Sequence, residues 1–197
     1  MKFHNWEENK IMRDQFYKKL SAPLAEEEVQ ELKVGDQVLL SGSVLTARDA
    51  SHKRLIELKK AGIELPVSLE GEIIYYVGPT PAKPGHVIGS AGPTTSSRMD
   101  RYTTQMLELG AKAFIGKGYR SQTVKNALQK HKGVYLAAVG GAGALIKESI
   151  VDYQVIAFED LGPEAIRRLE VKNFPVLVAN DIYGNDLYQQ GKNRYAK

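Results

Sequence analysis

Four short stretches of the chain gather residue types able to handle an anion, each where a strand pattern gives way to a helix pattern. Thr46-Ala47-Arg48-Asp49-Ala50-Ser51-His52 places an arginine at a strand end, where two parallel N–H donors can grip a carboxylate. Asp49 or Ser51 suits the cap of the helix that follows, and the plainer alternative for Arg48 is an exposed ion pair with a local acid. In Gly89-Ser90-Ala91-Gly92-Pro93-Thr94-Thr95-Ser96-Ser97-Arg98-Met99-Asp100, glycines that permit close backbone approach precede four hydroxyls at a helix start. Free N–H groups and the helix dipole make such a place receptive to anions. One hydroxyl is enough for a cap, so four hydroxyls with Arg98 turning back toward them exceed a structural need. Gly116-Lys117-Gly118-Tyr119-Arg120-Ser121-Gln122 has half the pattern of a phosphate loop, but Gly118 follows the lysine where Ser or Thr is required. Lys117 is then a point charge with backbone room around it. Val139-Gly140-Gly141-Ala142-Gly143-Ala144 lacks the G-x-G-x-x-G spacing and reads as close packing or a subunit contact.

Other chemistries are missing. The chain has no cysteine, which excludes a disulfide framework, a thiol nucleophile and any iron–sulfur or zinc site built from its own thiolates. His4, His52, His86 and His131 show no metal-ligand spacing, and G-x-S-x-G does not occur. Two arginines, a lysine and a hydroxyl-rich turn describe a pocket for a small di-anion, not a self-sufficient catalyst. The net charge of +4 suits such a ligand. Dispersed basic residues and 8% aromatics argue against nucleic acid. The longest uncharged apolar stretch, 134–146, is too short to span a membrane and is broken by glycines, and the first ten residues lack the apolar region of a secretory signal. A cytoplasmic protein without membrane partners is the expectation.

The elements that must position these residues can be read from periodicity. At 197 residues, 43% apolar and 25% charged, the chain suits one domain. Residues 1–17 read as an amino-terminal arm and 18–197 as the domain; 14–34 suggest one or two short helices, with Pro23 and Glu26 to Glu28 at a helix start. Strands are expected over 37–46, 72–77, 87–89, 113–115, 134–139, 154–158 and 174–179. Helices are expected over 52–61, 98–109, 121–130, 143–149 and 163–169. The result is an α/β fold, a sheet core with helices packed on it and additional β structure in the first half.

At these motifs the sequence resembles the β subunit, or carboxy-terminal half, of class I fumarate hydratases and L-tartrate dehydratases. The likeness rests on the Arg48, Thr94–Arg98 and Lys117 stretches in the same order. It extends to Leu161-Gly162-Pro163-Glu164-Ala165-Ile166, Phe174-Pro175 and Gly184-Asn185-Asp186-Leu187, leaving the first 17 residues outside. Lys117-Gly118-Tyr119-Arg120 and Arg98-Met99-Asp100 are similar to the fumarase form, where tartrate dehydratases tend toward Lys-Gly-Gly-Met. The resemblance implies a swivelling β/β/α domain. It also implies a [4Fe-4S] cluster held by three cysteines of a separate α subunit, whose open iron acts as Lewis acid, with an assembly that is a homodimer or α2β2. Carried over to this sequence, Arg48 and Arg98 are carboxylate-binding arginines, Lys117 a substrate-binding lysine, and Thr94 the group that exchanges a proton with the substrate carbon, activated by an aspartate of the partner. The implied reaction is reversible hydration of fumarate to L-malate. The alternatives are an L-tartrate dehydratase β subunit and a non-catalytic dicarboxylate-binding module.

Overall fold

In the computed structural model, residues 17–82, 84–138 and 143–195 are described, so most of the expected arm and the glycine cluster at 139–142 lie outside them. The elements are β1 (Tyr17–Ala22), α1 (Glu26–Gln30), β2 (Gln37–Thr46), α2 (Asp49–Lys60), β3 (Ile73–Tyr75), α3 (Asp100–Glu108) and β4 (Ala113–Gly116). They continue with α4 (Gln122–His131), β5 (Val134–Ala137), α5 (Gly143–Glu148), β6 (Ile150–Ala157), β7 (Ile166–Asn180) and α6 (Leu187–Tyr195).

The strands alternate between two apolar clusters. Ile73, Tyr75, Ile115, Val134 and Leu136 enter one, while Ile74, Tyr76, Phe114 and Tyr135 enter the other. Successive strand side chains point to opposite faces, so β3, β4 and β5 are buried on both sides and read as continuous apolar runs. The second cluster takes Leu55 from α2, Met106 and Leu107 from α3, and Val124 and Leu128 from α4; it is the helix-covered face. The first takes Leu169, Val171, Phe174, Val176 and Val178 from β7, with Val29 of α1 and Ile146 of α5 packed into it.

β2, β3, β4 and β5 run parallel in that order, and β7 runs antiparallel to both β5 and β2. This closes a five-stranded, barrel-like sheet, extended by β1 beside β2 and β6 beside β7. The α/β architecture with a sheet core, packed helices and extra β structure near the front is the one the sequence predicts. Among the described residues no helix is long and apolar enough to cross a membrane.

Three expected elements differ. Residues 163–169 are not a helix: Glu159–Glu164 form a 3-10 turn and Ile166 opens β7. Pairing of β7 with β2, β5 and β6 outweighs a short local pattern. No strand forms at 87–89. Pro79, Pro81 and Pro84 lack donors, and the loop closes on itself through Gly89 N–H to Thr80 O at 3.1 Å and Ser90 N–H to Thr80 Oγ1 at 2.8 Å. Over 14–34, β1 occupies Tyr17–Ala22 where helix was expected, because parallel pairing with β2 buries Leu20. The acidic helix start is present as α1, whose Glu28 accepts from Ala25 N–H at 2.9 Å.

Candidate functional site

The carboxyl ends of β2, β3 and β4 share one edge of the sheet, since the three strands are parallel neighbours. In parallel α/β sheets this is the edge where ligands bind. Arg48 follows β2 and is the N-cap of α2. Its amide donates to Ser51 Oγ at 2.9 Å, and its carbonyl accepts from His52 N at 2.9 Å and His52 Nδ1 at 2.6 Å. The carbonyl can only accept, so Nδ1 carries the proton. His52 is fully buried, stacked on Tyr102 and edge-on to Tyr76, and burial drops its pKa to about 4, leaving it neutral. The Arg48 side chain lies over Gly78: a Cβ there would come within 2.7 Å of Nη1. Only glycine lets the guanidinium take that place.

Thr94 enters through the neighbouring strand. Its amide donates to Tyr76 O at 2.7 Å, two residues before Gly78, and its carbonyl accepts from Lys117 N at 3.3 Å. Ser96 N–H donates to Lys117 O at 2.9 Å, so the hydroxyl-rich stretch pairs with the end of β4 like a short extra strand. Arg98 leaves the 3-10 turn Ser96–Met99 and donates to Asp49 Oδ2 at 2.8 Å, on the residue next to Arg48. The segments that carry the four expected site residues are thus neighbours on one edge: the Thr94 and Lys117 backbones pair directly, Arg98 reaches the residue beside Arg48, and no side chain of these four described residues bonds to another. Arg48 and Thr94 are half-buried, Arg98 and Lys117 exposed.

Inside this edge Asp100 joins two motifs. Its carboxylate accepts from Arg120 Nε at 2.8 Å and Ser121 N at 2.7 Å. The Arg120 side chain is fully enclosed, donates to Thr103 Oγ1 at 2.6 Å and lies between the rings of Tyr76 and Tyr135. Tyr135 donates to Gly118 O at 3.0 Å and meets Ser96 Oγ at 2.9 Å, while burial raises its phenol above the ordinary range and keeps it neutral. The Lys117 loop is therefore anchored from below while the lysine stays outside.

Among the described residues no group of three or more His, Asp or Glu side chains can hold a metal, and the sequence contains no cysteine. The residues present do not fit a [4Fe-4S] cluster. The edge carries the cations Arg48, Arg98 and Lys117, of which Arg48 faces Glu164 and Arg98 is bonded to Asp49.

A family described as fumarase C-terminus matches residues 2–191, taking in nearly all of the segment that the motifs left outside. The chain belongs to that family. It is similar to the anaerobic class I fumarate hydratase of Escherichia coli K12, 38% identical over 179 residues, covering 89% of this chain and 33% of the relative. Fumarate hydratase 2 of Leishmania major is 37% identical over 166 residues, 83% of this chain and 29% of the relative. A protein named putative L(+)-tartrate dehydratase subunit beta, from Methanocaldococcus jannaschii, is 40% identical over 173 residues, 85% of this chain and 89% of its own length. This fumarase C-terminal chain spans about a third of the fumarate hydratases it matches and most of the tartrate dehydratase subunit.

Sequence reasoning missed the acids of this family member's edge. Of the two expected caps of α2, Ser51 is used, through Arg48 N, while Asp49 turns to Arg98; a second acceptor, Glu164 in the 3-10 turn before β7, takes Ala50 N at 2.7 Å and faces Arg48. Arg98 turns to Asp49 instead of back to the hydroxyls. The available signal was the Pro163-Glu164 pair inside a stretch already noted, but nothing local places it beside a residue 116 positions earlier. Gly184-Asn185-Asp186-Leu187 serves another purpose: Asp186 accepts from Tyr188 N and Gln189 N at the start of α6 and pairs with Lys125 at 3.0 Å.

Proposed function

We propose that this chain is the β-type half of a two-chain hydro-lyase that interconverts fumarate and L-malate. The supporting observation is that the segments carrying Arg48, Thr94, Arg98 and Lys117 lie side by side on one sheet edge. Fumarate carries two carboxylates, which the two arginines grip through charge-assisted bonds while Lys117 adds a third positive charge. In the hydration direction Thr94 Oγ1–H gives a proton to one alkene carbon as the hydroxyl of a water adds to the other, and the remaining proton of that water returns through a base to Thr94 Oγ1. In dehydration the deprotonated Oγ1 takes the proton from carbon while the hydroxyl leaves as water with the proton held by the base. An unassisted hydroxyl is a poor base at neutral pH, so Thr94 requires a base from the opposing subunit. The same reading puts the [4Fe-4S] cluster on a cysteine-bearing α subunit, the complex in the cytoplasm, and the assembly at two αβ units.

Reconstitution with the α subunit under anaerobic conditions tests the proposal. The wild-type complex hydrates fumarate, and Arg48→Ala lowers kcat/KM by about 2–5 kcal/mol of transition-state binding. Unchanged activity in that variant would refute the assignment. L-Tartrate dehydration is a second reading, favoured by the Methanocaldococcus jannaschii relative that this chain matches over 89% of its length. Specificity constants for L-malate and L-tartrate, measured side by side, separate the two.

A further inference from the structure

Arg48 and Arg98 are held in different ways. Arg98 is 53% exposed and donates directly to Asp49. Arg48 is held by shape: its side chain is confined between Gly78 and the Pro163-Glu164 turn, with Nε buried and unbonded. Glu164 Oε2 is tied to Ala50 N at 2.7 Å, which leaves Oε1 3.5 Å from Arg48 Nη2 in an ion pair without a hydrogen bond. The charge attracts the guanidinium and leaves its terminal N–H groups for a ligand.

The turn that carries Glu164 is itself fixed. Arg167 donates to Gly162 O at 2.8 Å, Pro163 O at 3.1 Å and Ala165 O at 3.3 Å. The buried Thr46 hydroxyl, at the end of β2, accepts from Arg167 N at 3.0 Å and reaches Ala165 O at 3.3 Å. From α2, Arg54 donates to Asp160 at 2.7 Å. A cap for Ala50 alone needs no charge and no such bracing, since a neutral acceptor completes a helix start equally well.

We propose that Glu164 is a positioning residue: its fixed carboxylate aims the terminal nitrogens of Arg48 at the substrate carboxylate. The inference rests on the hydro-lyase reading above. Removing the charge frees the guanidinium to wander, which weakens substrate and transition state alike and so raises KM more than it lowers kcat.

Glu164→Gln separates this role from capping, because the amide oxygen still accepts from Ala50. In the reconstituted complex, with whichever of fumarate or L-tartrate turns over, E164Q is expected to raise KM about tenfold with kcat within about twofold, and to leave the melting temperature unchanged. Glu164→Ala, as the second variant, gives the same KM effect with a lower melting temperature. In an Arg48→Ala background the E164Q effect on kcat/KM disappears, since no guanidinium is left to aim. An active, Arg48-dependent complex whose KM ignores E164Q overturns this inference alone, as does an equal loss in both backgrounds. A wild-type complex inert toward both substrates, or indifferent to Arg48→Ala, overturns the hydro-lyase reading and this inference with it.

Discussion

Lys117 and Arg120 lie three residues apart in one loop and have opposite surroundings. Arg120 is enclosed, bonded to Asp100 and Thr103 and flanked by two tyrosine rings. Lys117 is exposed, and among the described residues its ammonium has no bonded partner. Both are cations in a glycine-flanked turn, so charge and position in sequence do not separate them. Satisfaction does: a buried charge must be paired where it lies, whereas an unpaired cation at a strand end is available to something that arrives. The inward side of the loop supports and the outward side is offered.

Breaking the inward side should cost most. Arg120→Ala leaves Asp100 without its buried partner and is expected to lower unfolding free energy by about 3–5 kcal/mol in a denaturant titration. Next comes His52, another inward group, neutral because burial lowers its pKa from 6.5 to about 4. Between those values the unfolded chain binds a proton that the folded chain does not, so stability is lost as pH falls through that window, by roughly 3 kcal/mol. Comparing wild type with His52→Phe between pH 7 and 4 isolates the slope; parallel curves would contradict a buried neutral imidazole.

Gly116→Ala probes the seam between the two sides. A Cβ there collides with Ser96 Oγ, the atom that meets Tyr135. The expected cost is about 1–3 kcal/mol by thermal unfolding, with the Thr94 segment pushed off β4. The smallest stability effect belongs to Lys117→Ala, within about 0.5 kcal/mol of wild type, although kcat/KM of the complex falls by about tenfold or more. A stability loss at Lys117 comparable with that at Arg120 would erase the contrast between the two faces.

Much of this arrangement is legible in the sequence where the cause is local. β2, β4, β5 and α4 fall where alternation, apolar runs and helical periodicity place them, and the structure adds Ser121 as the cap of α4. Arg48, Thr94, Arg98 and Lys117 stand out because strand ends and turns expose such residues whatever else the chain does. Contacts that join distant segments leave no local trace. Residues 166–169 look helical in isolation and become strand because β2 and β6 flank them on either side. Asp100 and Arg120 are both visible as residues, but their bond depends on α3 and the β4–α4 turn arriving side by side. Asp49 and Glu164 were hidden for the same reason: each answers an arginine supplied by another part of the chain.

Because β7 joins β5 to β2, it is the closing stave of the barrel, and the 3-10 turn just before it delivers the carboxylate that faces Arg48. A nascent chain whose β7 is still inside the ribosome has the parallel strands but an open seam, and its guanidinium edge lacks its counter-charge. The Arg48 edge therefore gains its counter-charge only after β2 and β7, the described strands paired across the greatest sequence separation, have come together, a slow kind of contact to form.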